Sequence, residues 1–217
     1  MGRMKYTEKQ RSQIMISFIR ATREVIDTEG LGQVSIRKIA DRTGMNSATL
    51  YLYFSNVDAL ITMASLSYLE NYCRTLADDN QKMKTPEEIL MHTWDVFCGY
   101  AFEYPAVFYH IFYADDKVSL TDIVDEYYRL FPEHLQDIEG PVLDMLREGP
   151  LTERSWNVFW PVAWERGISE ENARMANDML VAYFRVLLET RQKNTETAPD
   201  SVRLNENMKR ALELLLT

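Results

Sequence analysis

The sequence predicts an all-α protein, with a small three-helix head and a larger helical body. Two observations carry this. Apolar residues recur at spacings of three and four along most of the chain, whereas the strict alternation of a half-buried strand is nearly absent. Residues that start and stop helices fall between those stretches. With only 8 Gly and 7 Pro in 217 residues, few signals remain for long irregular loops. A chain of this length buries a sizeable core, as one large domain or as a small domain joined to a larger one.

The elements follow in order. Thr7-Glu8-Lys9-Gln10 has the form of a capping box, in which the threonine hydroxyl and the glutamine side chain each satisfy a free backbone N–H. Ile14, Phe18, Ala21 and Val25 mark one face of a first helix, which Gly30 and Gly32 end. Ser35 caps a second, short helix over 36–42 with Ile36, Ile39 and Ala40 on one side. Thr43-Gly44 breaks the chain, and a third short helix starts near Asn46 or Ser47. Ser55-Asn56-Val57-Asp58 is another capping-box candidate, opening a long fourth helix over 58–77. Thr85-Pro86-Glu87-Glu88 is the strongest start signal, with a capping threonine, a proline in the first turn and an acid at the third position. Further helices are expected over 87–103, 106–113, 120–130, 133–147, 153–166, 170–192 and 201–216. Pro161 is expected to kink or split its segment, and the polar run 193–200 to link the last two helices.

Composition excludes several classes. No apolar run approaches the ~18 residues that span a bilayer, so no membrane partner is expected. The first residues lack the apolar stretch of a signal peptide, and Tyr6 stands where myristoylation wants Ser or Thr. Cys73 and Cys98 offer no disulfide framework, so a reducing cytoplasm is the expected location. The net charge of -9 is unevenly spread: residues 1–60 hold nine basic and six acidic side chains, leaving -12 on residues 61–217. A basic head on an acidic body suits a chain of which one end meets a polyanion.

That head contains two short helices joined by a glycine-containing turn, a helix-turn-helix, whose second helix commonly enters the DNA major groove. Projected at about 100° per residue, this helix turns Leu50 and Phe54 inward, with Asn46, Ser47 and Tyr53 at the edges. Ala48, Thr49 and Leu52 face outward and Tyr51 lies on a flank. Small residues let a helix sit deep in the groove. Hydroxyls bond bases or phosphates, Ala48 or Leu52 can pack on a thymine methyl, and flanking tyrosines reach phosphates. The plainer reading is a helical hairpin that ends in aromatic core residues.

The run from Val34 to Phe54, VSIRKIADRTGMNSATLYLYF, closely resembles the DNA-binding signature of the TetR family of one-component transcriptional regulators. The resemblance covers residues 8–60. It rests on a hydroxyl residue, Ile-Ala, Gly-hydrophobic and then Thr-Leu-Tyr-x-Tyr-Phe in order and spacing. It implies that Arg37, Ser47, Ala48, Thr49 and Tyr51 approach bases and neighbouring backbone, with Asn46 also in the DNA-binding set and Ser35 and Tyr53 as phosphate contacts. It further implies a DNA-binding domain over 1–57 and an effector-binding and dimerisation domain over 58–217. Family members usually carry lysine shortly after the aromatic run. Here Val57 stands instead, which removes a phosphate contact that Arg3, Lys5 or Lys9 would offset from an N-terminal arm.

Residues 86–166 are dense in large aromatics, most of them expected to be core. Such side chains also line apolar ligand cavities. Trp94, Phe97, Phe102, Glu103, Phe108, Phe112, Tyr127, Trp156 and Trp160 are candidates for an effector pocket. Glu103 or Asp95 beside those rings would favour a lipophilic cation through charge and cation–π attraction, or would simply be solvated. His92 has helical spacing to Glu88 and Asp95, but no compact ligand set completes a metal site, and His134 is expected at the surface. The last two helices carry broad apolar stripes. Met179, Leu180, Tyr183, Phe184 and Leu187, with Met208, Leu212 and Leu215, are candidates for a homodimer interface, which the resemblance implies is a four-helix one.

The leading expectation is a homodimeric regulator, a repressor, that binds a palindromic operator in double-stranded DNA and answers to a small lipophilic or aromatic effector. No cofactor and no enzymatic activity are expected, since neither a nucleophile with a base nor a metal constellation is visible by spacing. The alternatives are a helical protein-interaction module without DNA binding, and a helical-bundle enzyme using His92 with Asp95 or Glu103.

Overall fold

The computed structural model describes residues 6–80, 82–114, 118–193 and 201–216, and all regular structure among them is helical. Arg3, Lys5 and the linker over 194–200 lie outside these residues. The head consists of α1 (Glu8–Glu29), α2 (Ile36–Thr43) and α3 (Ser47–Leu50). The Thr7 capping box opens α1, with Gln10 N–H donating to Thr7 Oγ1 and Thr7 N–H to Gln10 Oε1. Gly30, at φ 92°, ends it. Phe18, Ile39, Leu50 and Phe54 are buried, and the Phe18 and Phe54 rings meet edge to face at 6.1 Å. Leu50 and Phe54 therefore anchor the head as the helical projection requires.

The fourth helix is two. α4 (Val57–Ser65) gives way to a 3₁₀ turn over Leu66–Tyr68 before α5 (Leu69–Asn80). Ser67 Oγ donates to the Ala64 carbonyl, and Tyr68 donates its phenol proton to Asp27 of α1. Such side-chain bonds compete with the backbone ladder and tighten it locally. Asn56, and not Ser55, caps α4, its Oδ1 accepting from the Ala59 N–H at 2.6 Å. The expected boundary between residues 57 and 58 falls in the first turn of α4. This helix buries every residue from Ala59 to Ser65 and packs on α1.

The body comprises α6 (Pro86–Glu103), α7 (Pro105–Tyr113), α8 (Leu120–Leu130), α9 (Gly140–Arg147), α10 (Leu151–Glu165), α11 (Glu170–Lys193) and α12 (Ser201–Leu215). The Thr85 capping box opens α6, and Glu88, bonded to the backbone N–H groups of Lys84 and Thr85, has its carboxyl held below the ordinary range. The helix expected over 133–147 is instead a 3₁₀ turn, Pro132–Leu135, followed by α9. Asp137 and Gly140 take positive φ between them, and Pro141 favours a fresh start in the first turn. Pro161 does not split α10. Its missing N–H affects the carbonyl of half-exposed Asn157, while buried Val158, Phe159, Val162 and Ala163 hold the helix against its neighbours. Phe97 of α6 is the hub of the core, its ring within 5.2–5.7 Å of those of Tyr72, Trp94, Phe108, Phe112 and Phe184.

Candidate nucleic-acid interface and effector cavity

The head builds its outer face from caps and a tight turn. Ser35 Oγ accepts from the Lys38 N–H at 3.4 Å to start α2, and Thr43 Oγ1 ties the end of α2 to Met45 N–H. Gly44, at φ 65°, makes the left-handed turn that a side chain would strain. Asn46 Oδ1 then accepts from the Ala48 N–H at 2.9 Å to start α3. Ser35, Arg37, Asn46, Ser47, Ala48, Tyr51 and Leu52 are exposed, Tyr51 and Leu52 by more than half.

Two expected contacts sit differently. Thr49 is half-buried, and so is Tyr53, which packs against the core with the Arg11 guanidinium over its ring at 5.4 Å. Arg11 was missed because it lies on α1, forty-two residues before the tyrosine it covers. The basic residues of α2 divide. Lys38 and Arg42 both bond Glu29, at 2.7 and 2.9 Å, and in that order of effect hold its carboxyl below the ordinary value. Arg37 has no carboxylate partner among the described residues.

In the body, α5, α6, α9 and α10 enclose a cavity of about 20 Å³. It is lined by Tyr72, Thr93, Trp94, Phe97, Met145, Leu151, Arg154, Ser155 and Val158. Of the expected pocket residues only Trp94 and Phe97 reach it. Phe102, Phe108 and Tyr127 are buried in the surrounding core, and Phe112, Trp156 and Trp160 are half-buried beside it. Trp156 and Trp160 stack on each other at 5.1 Å instead, with Arg174 over Trp156 at 3.7 Å. Neither acid faces the cavity. Glu103 is exposed at the end of α6 and lines a surface groove with Asp27, Tyr104 and Arg191. Asp95 bonds Lys209 at 2.8 Å and Asn205 at 2.6 Å, fastening α12 to α6.

The charge inside is positive. Arg154 is 3% exposed, and its Nε and Nη2 donate to the carbonyls of Gly149 and Leu146 at 3.4 and 3.2 Å. Among the described residues no carboxylate pairs with it. A buried ion left unpaired costs several kcal/mol even after relaxation. Sequence reasoning missed this residue, although a signal was present: Leu151, Arg154, Ser155, Val158, Phe159 and Val162 repeat at three and four, so Arg154 interrupts the apolar stripe of α10.

Other titratable groups take structural roles. His134 is half-buried rather than at the surface, its ring stacked on Phe131 at 5.4 Å and its Nδ1 bonded to Tyr127 Oη at 3.1 Å. Burial lowers its pKa. His92 pairs with Asp79 of α5 at 3.1 Å. Burial pushes the Cys73 thiol up to about 11 and Cys98 well above its ordinary value.

The expected dimer residues separate by face. Leu180, Phe184, Leu187, Met208 and Leu212 are buried in the chain's own core, because α11 packs that side on α7 and α10, and α12 packs on α6. Leu215 is half-buried. Met179 and Tyr183 are exposed, and with Met175 and Val186 they form an outward stripe at spacings of four, four and three. Among the described residues no helix is long and apolar enough to cross a membrane.

The described residues are helical, and the head carries a capped helix-turn-helix, the class of element by which many regulators bind DNA. Residues 18–62 match the model of bacterial regulatory proteins, tetR family. An uncharacterized HTH-type transcriptional regulator of Haemophilus influenzae is 26% identical over 103 residues, 48% of this chain and 55% of that protein, so the match spans only about half of that relative. The fold is similar to that of the transcriptional regulator FadR from Bacillus subtilis in complex with stearoyl-CoA. The TM-score is 0.57 at 18% identity, over 93% of this chain and 97% of that one. It is also similar to Thermus thermophilus FadR, a TetR-family repressor in complex with lauroyl-CoA, with a TM-score of 0.56 at 17% identity and 93% of both chains covered. A TetR regulator from Rhodococcus sp. RHA1 gives 0.56 at 15% identity, over 97% of this chain and 98% of that one. Residues 18–62 are thus similar to the DNA-binding domain of the tetR family, and the likeness of the rest of the chain to these structures is one of fold.

Proposed function

We propose that this protein is a homodimeric, effector-responsive repressor that acts in the cytoplasm on a palindromic operator. The observation that carries the reading is the one-turn helix α3, which leaves Ser47 and Ala48 exposed, as Arg37 and Tyr51 are. Small residues admit the helix to the major groove, Arg37 and the hydroxyls of Ser47 and Thr49 meet bases or phosphates, and Tyr51 holds the flank. Ser35, Asn46 and Tyr53 border that face. The outward stripe of α11 supports pairing of two bodies, which gives each head one half-site.

The effector domain is the body. Two structures of similar fold hold stearoyl-CoA and lauroyl-CoA, which supports an apolar ligand between these helices. A route to the head begins at Tyr72, which lines the cavity from α5. It continues through the 3₁₀ turn to Tyr68, whose phenol bonds Asp27 on α1 beneath the Arg23 guanidinium at 3.5 Å. A ligand that moves Tyr72 favours one setting of the head only by binding that setting more tightly.

Selection of bound duplexes from a random pool, at low and moderate salt, tests the reading. An enriched palindrome whose binding weakens with salt is the expected result, and light scattering should give a dimer that Met179→Glu splits. Absence of any enriched palindrome at low salt overturns it in favour of an interaction module.

A further inference from the structure

Resting on the body as effector domain, we infer that its cavity is an anion site, and that it takes the carboxylate of a compact apolar monocarboxylic acid. The argument starts from Arg154. Two backbone carbonyls satisfy two of its donors, but carbonyl dipoles do not cancel a full charge, and the Phe112 ring lies 5.6 Å away. Arg154 lines a cavity together with Tyr72, whose phenol donates to Met145 Sδ at 3.5 Å. Three further residues of the lining carry polar atoms, Thr93 Oγ1, Ser155 Oγ and Trp94 Nε1. All three belong to residues 3% exposed and have no hydrogen-bond partner among the described residues.

An indole N–H only donates, and a hydroxyl rotates to donate where the acceptor demands it. Three possible donors in the same lining as a guanidinium are the complement of a carboxylate, which accepts several short charge-assisted bonds. A water fits a space of this size but brings no charge to Arg154. The rest of the lining, Tyr72, Phe97, Met145, Leu151 and Val158, is apolar or aromatic, and that suits the body of the acid. Its bulk must displace side chains in so small a cavity, Tyr72 among them, so binding and movement of the route to the head are one event. A single buried cation matches a single negative charge. The several phosphates of a CoA thioester exceed that single charge.

Calorimetric titration of the full chain tests the inference, with octanoate and phenylacetate beside octanol, 2-phenylethanol and octanoyl-CoA as probes. The acids should bind roughly tenfold or more tighter than the matching alcohols, since the alcohols leave Arg154 unpaired. Arg154→Gln should bring that ratio to about one. If Arg154→Gln does not fold, Thr93→Val and Ser155→Ala keep the shape of the site and should each weaken the acids roughly threefold to tenfold with little effect on the alcohols. Acids no tighter than alcohols, or no acid binding at millimolar concentration, overturns the inference. So does octanoyl-CoA that binds tighter than octanoate and is indifferent to these variants. The two readings fail separately: an operator with no acid binding leaves the repressor standing, and acid binding with no operator leaves the anion site standing.

Discussion

On the head, Lys38 and Arg42 lean on Glu29, and Arg37 stands exposed beside them with no carboxylate partner among the described residues. In the body, Arg154 also lacks one, but it is buried beside a cavity with three unpaired donors. The surface pairs contribute little, and an exposed cation costs little to keep. A buried one is expensive. The head can therefore meet an extended polyanion through many weak, salt-sensitive contacts, while the proposed anion site of the body meets a single charge inside a small enclosure. On these proposals one type of side chain serves two kinds of recognition, and the medium around it decides which.

The largest expected effect probes the body. Phe97→Ala removes the ring that touches five others and should cost about 3–5 kcal/mol of unfolding free energy, read from urea denaturation. Operator affinity of the folded fraction should stay as it was. A loss below about 1 kcal/mol would mean that the aromatic cluster relaxes around the gap and is not a rigid hub.

Arg37→Ala is the reciprocal case. Its side chain is exposed and should cost no measurable stability, yet operator affinity should fall by about 1–3 kcal/mol if it reads a base. A drop equal on operator and on random duplex would move Arg37 from base reading to phosphate contact.

The two regions were not equally legible. Helix-turn-helix geometry follows from local rules, a cap at Ser35, a glycine at 44 and a cap at Asn46, and each acts within a few residues of itself. The outward stripe of α11 was half legible. Periodicity marks α11 as apolar on more than one side, but only packing decides that Leu180 and Phe184 turn inward while Met179 and Tyr183 stay out. The cavity was least legible, because its lining converges from four helices far apart in sequence. Glu103 looked like a pocket acid because aromatics surround it in the chain, yet it ends its helix at the surface. Arg154 could have been found, since a cation on the apolar stripe of an amphipathic helix is a conflict that calls for a reason.

Asn46→Ala tests whether the head depends on its cap. The Oδ1 bond to Ala48 N–H starts a helix of a single turn, so its loss should cost about 1 kcal/mol. Stability and operator affinity should fall together, unlike in the two variants above. If affinity falls with no loss of stability, Asn46 touches DNA itself.

The smallest effect concerns Val57, where the family usually has lysine. The valine is half-buried at the first position of α4, beside the Asn56 cap. Val57→Lys gives up some packing and sets a cation at the positive end of a helix, a cost of about 0.3–1 kcal/mol. The long stem can still lie along the apolar surface and carry the ammonium outward. Affinity for random duplex should rise, and the slope of log affinity against log salt should steepen by about 0.9, the value for one phosphate neutralised. An unchanged slope would show that no phosphate lies within reach of this position. The head would then take its non-specific affinity from cations on its own helices, Arg37 among them.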